Sequence, residues 1–83
     1  MTTIAMKDIA FAPAEVTVKV GDTVKWVNRD AVEHNVVATK GATFKSGLFG
    51  QGGSFEFKPT KSGSVTYVCT VHPGMNGTLK VEK

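Results

Sequence analysis

Three residues of metal-binding type stand close together in the segment CTVHPGM, at 69–75. Cys69 offers a thiolate, His72 an imidazole and Met75 a thioether, and each lies three positions from the next. This spacing allows three donor atoms from one tight loop to converge on a single point. The chain has one cysteine and two histidines, so the remaining imidazole, that of His34, is the natural fourth donor. The residue types therefore predict a metal site made of these four side chains.

The donor set favours copper over other metals. Two imidazoles and a thiolate in a trigonal arrangement, with a weak axial thioether, are typical of blue-copper electron-transfer sites. Zinc prefers Cys, His or carboxylate ligands, and an iron–sulfur cluster normally requires more cysteines than the one present here. Taken singly, each residue also has a structural interpretation: a lone cysteine is often a small core side chain. The four residues in combination favour the copper site.

The elements that must position these donors are short strands. Apolar and polar residues alternate almost throughout; Val65, Tyr67 and Cys69, for example, fall on one face. We predict strands near 2–10, 14–20, 23–28, 34–38, 53–58, 63–69 and 77–82. Gly-rich turn segments separate them, and residues 39–52 are predicted to be a loop or a weak strand. No segment has the pattern of an amphipathic helix. This predicts an all-β fold, a Greek-key β-sandwich or barrel of seven to eight strands.

Length and composition limit the function further. Eighty-three residues are enough for one domain, which we place at 1–83, and a single cysteine excludes an internal disulfide. The formal net charge of +3 comes from scattered basic residues, whereas nucleic-acid binding requires a concentrated basic patch. No apolar run reaches the roughly 20 residues of a transmembrane helix. We therefore predict no nucleic-acid partner and no membrane insertion.

With these motifs in view, the sequence resembles the cupredoxins, and in particular their plastocyanin-like branch. The segment GDTVKWVNRDAVEHNVV is similar to the family segment that carries the first histidine ligand. The segment GSVTYVCTVHPGMNGTLKV is similar to the family pattern around the other three ligands. The spacing from cysteine to histidine to methionine is that of the amicyanin-like members. The resemblance covers nearly the whole chain.

This resemblance implies the fold, the cofactor and the ligands. It implies an eight-stranded Greek-key sandwich, with the additional strand within 39–52, and one type 1 copper ion bound by the four residues named above. It also implies that Asn35 braces the ligand loop beside the cysteine sulfur; the alternative is an ordinary surface position. The chain departs from the family pattern at four positions, which hold Glu33, Val65, Val71 and Gly74.

The function predicted from these observations is one-electron transport between larger redox proteins, without catalysis. The ring of His72 is expected to offer the electron a path to solvent. A small apolar docking patch of Val32, Val71, Pro73 and Gly74 is expected to surround it and to make weak, transient contacts with a donor and an acceptor. The chain is expected to act as a monomer.

Two other classes of function remain open from the sequence. One is copper storage or delivery without redox cycling, and the other is a metal-free adhesion sandwich. Adding Cu(II) and then a reductant distinguishes them, because only the electron carrier gives an intense blue colour that bleaches reversibly. Family membership predicts a periplasmic or otherwise extracytoplasmic location, although the N-terminal segment lacks the apolar run of a signal peptide.

Overall fold

The computed structural model describes residues 1–83, which form eight β-strands. In chain order these are β1 Thr2–Met6, β2 Phe11–Ala12, β3 Glu15–Lys19, β4 Val24–Asn28, β5 Val37–Lys40, β6 Ser54–Phe57, β7 Gly63–Val68 and β8 Asn76–Glu82. One sheet has the order β2-β1-β4-β6 and the other the order β3-β8-β7-β5. The predicted all-β sandwich fold is confirmed. No helical segment has the length and apolar character that crossing a bilayer requires.

The strands form because alternate residues supply one continuous core between the sheets. In β7 and β8 the inward positions include Val65, Tyr67 and Leu79, all buried, while the neighbouring outward positions are more exposed. Trp26, fully buried on β4, is the centre of the aromatic packing: its ring lies 5.2 Å from that of Tyr67 and 5.9 Å from that of Phe55, between centroids. Burial of this apolar surface is the main source of stability for so small a chain.

Three strand assignments differ from the sequence prediction. The strand predicted near 34–38 begins three residues later, as β5 at Val37, and His34 forms only an isolated bridge. The segment 2–10 is not one strand, because the chain turns back at Lys7–Ala10 and β2 follows at Phe11. The eighth strand is therefore β2. After β5 ends at Lys40, the rest of the segment 39–52 forms no further strand. It forms two isolated bridges, which pair Phe49 with His34 and Lys45 with Val37. The placement of the additional strand within 39–52 was wrong.

Three connections meet at one end of the sandwich. β1 and β4 run parallel, so the β1–β2 turn and the β4–β5 connection both leave the first sheet at the same end of its strands. The β7–β8 connection lies at this end as well, because side chains from the β4–β5 and β7–β8 connections contact each other there. This end carries all four predicted metal-binding residues.

Candidate metal centre

The connection between β4 and β5 holds His34 in a fixed position. The backbone N–H of His34 donates to the carbonyl of Phe49 at 3.2 Å, and the N–H of Phe49 donates back at 3.0 Å. Asn28, fully buried at the end of β4, donates from Nδ2 to the carbonyl oxygens of Val32 and Phe49, each at 2.9 Å. A buried side-chain amide with two hydrogen-bond acceptors holds the connection in place before any metal is bound.

The connection between β7 and β8 is a tight loop. The backbone N–H of Cys69 donates to the carbonyl of Met75 at 3.0 Å, and the N–H of Met75 donates to the carbonyl of His72 at 3.1 Å. Gly74 has a φ of 88°, in the left-handed region that glycine enters without steric cost. This glycine allows the chain to reverse in the few residues that separate the histidine from β8.

The two connections bring three donor atoms together. Nδ1 of His34 lies 3.1 Å from Nδ1 of His72, and the Sγ atom of Cys69 lies 3.7 Å and 3.5 Å from these two nitrogens. A point in the plane of the three atoms is about 2 Å from each of them, which is close to the usual length of a metal–imidazole bond. The cluster therefore has the size of a single metal ion.

These donors also differ in their access to solvent. Cys69 and His34 are buried, at 3% and 0% exposure, whereas His72 is half-buried. A metal ion at this point would be shielded by protein on the side of the first two residues. His72 alone reaches the surface of the molecule.

Met75 lies beside this cluster and is 2% exposed. Its backbone bonds to Cys69 and His72 place it at the base of the loop, and its side chain belongs to the hydrophobic core. A soft thioether next to a thiolate and two imidazoles fits copper in both of its common oxidation states. The donor set that the structure assembles thus matches the metal predicted from the sequence.

Asn35 connects the two loops. Its Nδ2 atom donates to Oγ1 of Thr70 at 2.9 Å, and its Oδ1 atom accepts from the backbone N–H of Thr70 at 2.8 Å. Because Asn35 follows His34 and Thr70 follows Cys69, this pair of bonds holds the backbones next to two donors at a fixed separation. Asn35 is 7% exposed, so it does not occupy an ordinary surface position.

The sequence analysis missed Asp30. Its Oδ2 atom accepts a hydrogen bond from Nε2 of His34 at 2.8 Å, and the backbone N–H groups of Asp8 and Ile9 donate to the same carboxylate. The bond from His34, supported by these backbone bonds, lowers the pKa of Asp30 to about 2. The ionised carboxylate can only accept, so Nε2 of His34 is the donor in this bond, and Nδ1 is the ring nitrogen left to bind a metal. The one signal in the sequence was a carboxylate four residues before a histidine.

Exposed apolar side chains lie around the ligand loops. Val32 and Val71 are 45% and 48% exposed, and Pro73 and Gly74 are also exposed. Leu48 is 51% exposed and stands directly before Phe49, which pairs with His34. The sequence analysis did not select it. The two ligand loops and the segment that bridges to His34 therefore carry exposed apolar residues beside the exposed charges of Arg29 and Glu33.

Comparison with known proteins agrees with copper as the metal. The family model for copper binding proteins of the plastocyanin/azurin family matches residues 1–82. Amicyanin from Paracoccus denitrificans is 40% identical over 72 residues, which are 82% of this chain. Plastocyanin from Scenedesmus fuscus is 34% identical over 86 aligned positions, covering 89% of this chain and 88% of that protein.

A solved structure shows the same fold. The Cu(I) form of a methionine-to-alanine variant of amicyanin superposes with a TM-score of 0.91 at 33% identity, covering 98% of this chain and 81% of that one. The chain spans 55% of the full length of the Paracoccus denitrificans protein. Because the family model matches almost the entire sequence, the chain belongs to the plastocyanin/azurin family of copper-binding proteins.

Proposed function

We propose that this protein carries one electron at a time between larger redox proteins. In this proposal His34, Cys69, His72 and Met75 would hold a single type 1 copper ion. The observation that supports it most directly is the triangle of one sulfur and two nitrogen atoms, 3.1–3.7 Å on a side, around one point. When bound, copper supplies the redox step by alternating between Cu(II) and Cu(I).

Hydrogen bonds around the site hold the metal-binding residues in place without a metal ion. His34 is fixed by backbone bonds to Phe49 and by the carboxylate of Asp30, and the loop of Cys69 is fixed by its bonds to Met75 and Asn35. A donor set that is already in place requires little rearrangement when its charge changes, as with other preorganised sites. Little rearrangement favours fast electron transfer.

The proposed route for the electron is the ring of His72, the one donor residue that reaches the surface. The apolar patch of Val32, Val71, Pro73 and Gly74 surrounds this route and allows a partner to approach closely. An interface of this small size suits a short-lived complex. We propose that the partners are proteins, that the carrier acts as a monomer, and that it works in the periplasm or another extracytoplasmic compartment.

We further propose that the chain performs no catalysis by itself. Both of its histidines lie in the one cluster. None is left to build a second copper centre, where a substrate could bind. The four donors that complete this site therefore match electron transport better than they match an oxidase or a reductase.

The proposed function is tested by the colour and the redox behaviour of the copper-loaded protein. Addition of one equivalent of Cu(II) should give an intense blue absorption, which ascorbate bleaches and a mild oxidant restores over repeated cycles. Cys69→Ser removes the thiolate and should remove the colour. A tight but colourless complex, or one that cannot be reoxidised, would instead indicate copper storage or delivery.

A further inference from the structure

The carboxylate of Asp30 contacts two separate parts of the chain at once. Oδ2 accepts from Nε2 of His34 at 2.8 Å and from the backbone N–H of Ile9 at 2.9 Å, and Oδ1 accepts from the N–H of Asp8 at 2.8 Å. Its own backbone N–H donates to Oδ1 of the buried Asn28 at 2.8 Å. With a side chain only 12% exposed, Asp30 has little freedom to leave this position.

The turn that Asp30 holds has an uncommon conformation. Asp8 and Ile9 have φ values of 56° and 55°, in the left-handed region, which is unfavourable for a β-branched residue such as isoleucine. Two successive residues of this kind direct their N–H groups towards one point and form a concave site for an anion. Asp30 is the anion that occupies it, so the turn depends on this carboxylate.

The geometry points to Asp30 as a positioning residue that fixes His34 and couples it to the β1–β2 turn. This inference rests on the proposed function, because it concerns the reduction potential of the same site. The negative charge beside Nε2 makes the imidazole a stronger donor of the Nδ1 electron pair to a metal ion. A stronger donor favours the more highly charged Cu(II) state, so Asp30 lowers the potential.

The same contacts connect His34, a buried metal-binding residue in this proposal, with the surface. His34 is 0% exposed and has no direct contact with solvent, whereas Ile9 is 50% exposed. Asp30 lies between them and bonds to both. Because coupling between two sites is reciprocal, a metal ion that fixes His34 also stabilises the turn, and a change in the turn alters the affinity for the metal.

The first test compares Asp30→Asn with Asp22→Asn. Asp22 also accepts a backbone N–H, that of Lys19 at 3.1 Å, but it lies in the β3–β4 turn at the opposite end of the sandwich, so the two variants lose the same charge at different distances from the site. We expect Asp30→Asn to weaken Cu(II) binding about tenfold relative to Cu(I) binding. For one electron this factor raises the potential by about 59 mV, while Asp22→Asn leaves the potential near that of the wild type.

Asp30→Glu provides the conservative variant. It retains a carboxylate near His34, and we expect it to reverse part of the rise in potential that Asp30→Asn causes. The role of Asp30 is rejected if Asp30→Asn shifts the potential no more than Asp22→Asn does. Circular dichroism of both metal-free variants verifies that they are folded before the comparison is made.

The second test uses the wild-type protein and does not depend on any variant. Amide hydrogen exchange is measured for Asp8 and Ile9 in the metal-free and the Cu(I)-loaded protein, with the amide of Lys19 as the reference. We expect slower exchange at the first two amides on metal binding and no change at Lys19. Equal exchange in both forms would exclude the coupling. A wild type that binds copper without a reversible one-electron wave would refute the proposed function, while the relative affinities and the exchange data would still decide the role of Asp30.

Discussion

The phenol ring of Tyr67 occupies the space above Gly77, its partner in the register of β7 and β8. A Cβ atom added at position 77 would lie 2.6 Å from both Cζ and Oη of Tyr67. Both atoms belong to a rigid side chain that is fully buried, and its ring packs against Trp26 and Phe11. The absence of a side chain at residue 77 is therefore required by the core of the sandwich.

Gly77→Ala should destabilise the metal-free protein by about 1–3 kcal/mol, the usual cost of an overpacked core. Urea unfolding followed by the fluorescence of Trp26 measures the change. Gly47→Ala is the matched control, because a Cβ atom at residue 47 meets no other atom within 4 Å and the residue has no positive φ. A loss of stability in the control as large as that in Gly77→Ala would show that the contact with Tyr67 is not the cause.

The alternation of side chains was sufficient to predict most of the strands, but not the turn within 2–10. A turn is normally recognised from a cluster of glycine, proline, asparagine, aspartate or serine, and Asp8 is the only residue of these types within 7–10. Their conformation is stabilised by the carboxylate of Asp30, which lies more than twenty residues away in the sequence. A turn that depends on such a distant partner cannot be read from its own residues.

The candidate site was predictable to a similar extent. His34, Cys69 and His72 are scarce residue types at recognisable spacings, and the structure brings their donor atoms together as the sequence analysis expected. Their roles as ligands, with that of Met75, remain predictions. Asp30 was missed because acidic residues are common, and only the fold shows which of them faces the far side of a histidine ring.

The second prediction concerns the ionisation of Tyr67. Burial raises the pKa of its hydroxyl to about 12, and the structure offers this hydroxyl no hydrogen-bond partner. Because Tyr67 is the only tyrosine of the chain, the near-ultraviolet absorbance of phenolate reports on this residue alone. We expect no phenolate near pH 10 in the folded protein, and a midpoint near 10 in concentrated urea.

The effect on stability follows from the same difference in pKa. Between about pH 10 and pH 12 the unfolded chain releases the proton of Tyr67 while the folded chain retains it, so the folded state binds more protons and its stability falls as the pH rises. Below pH 10 both states are protonated, and this contribution is constant. A folded-state midpoint close to 10, with secondary structure intact, would show that the hydroxyl is open to water.

The third prediction concerns the bridge between Asn35 and Thr70. Asn35→Ala removes both hydrogen bonds and should cost about 1–3 kcal/mol in the free energy of unfolding. Thr70→Val retains the bond from the backbone N–H to Oδ1 of Asn35 and should cost less. Chemical denaturation of the metal-free single variants and of the double variant provides the measurement.

The double variant distinguishes one bridge from two independent contributions. If the residues act through their mutual bonds, the loss in the double variant will be smaller than the sum of the two single losses. Additive losses would mean that the bond from Nδ2 of Asn35 to Oγ1 of Thr70 contributes nothing, and that the connection between the two ligand loops rests on the bond from the backbone N–H of Thr70 alone.

The last prediction concerns the proposed docking patch. Val71→Lys places a charge on the apolar surface beside His72 while leaving every donor atom in place, so the blue absorption and the reduction potential should change little. Electron self-exchange between two copies, measured by NMR line broadening, should slow by about tenfold or more, because two like charges would face each other across the contact.

Val20→Lys is the control variant. It adds the same charge to a valine that is 39% exposed and whose backbone bonds to Glu82 at the opposite end of the sandwich. If both variants slow the exchange equally, net charge rather than a local patch governs the encounter; if only Val71→Lys does, the electron leaves through the surface around His72.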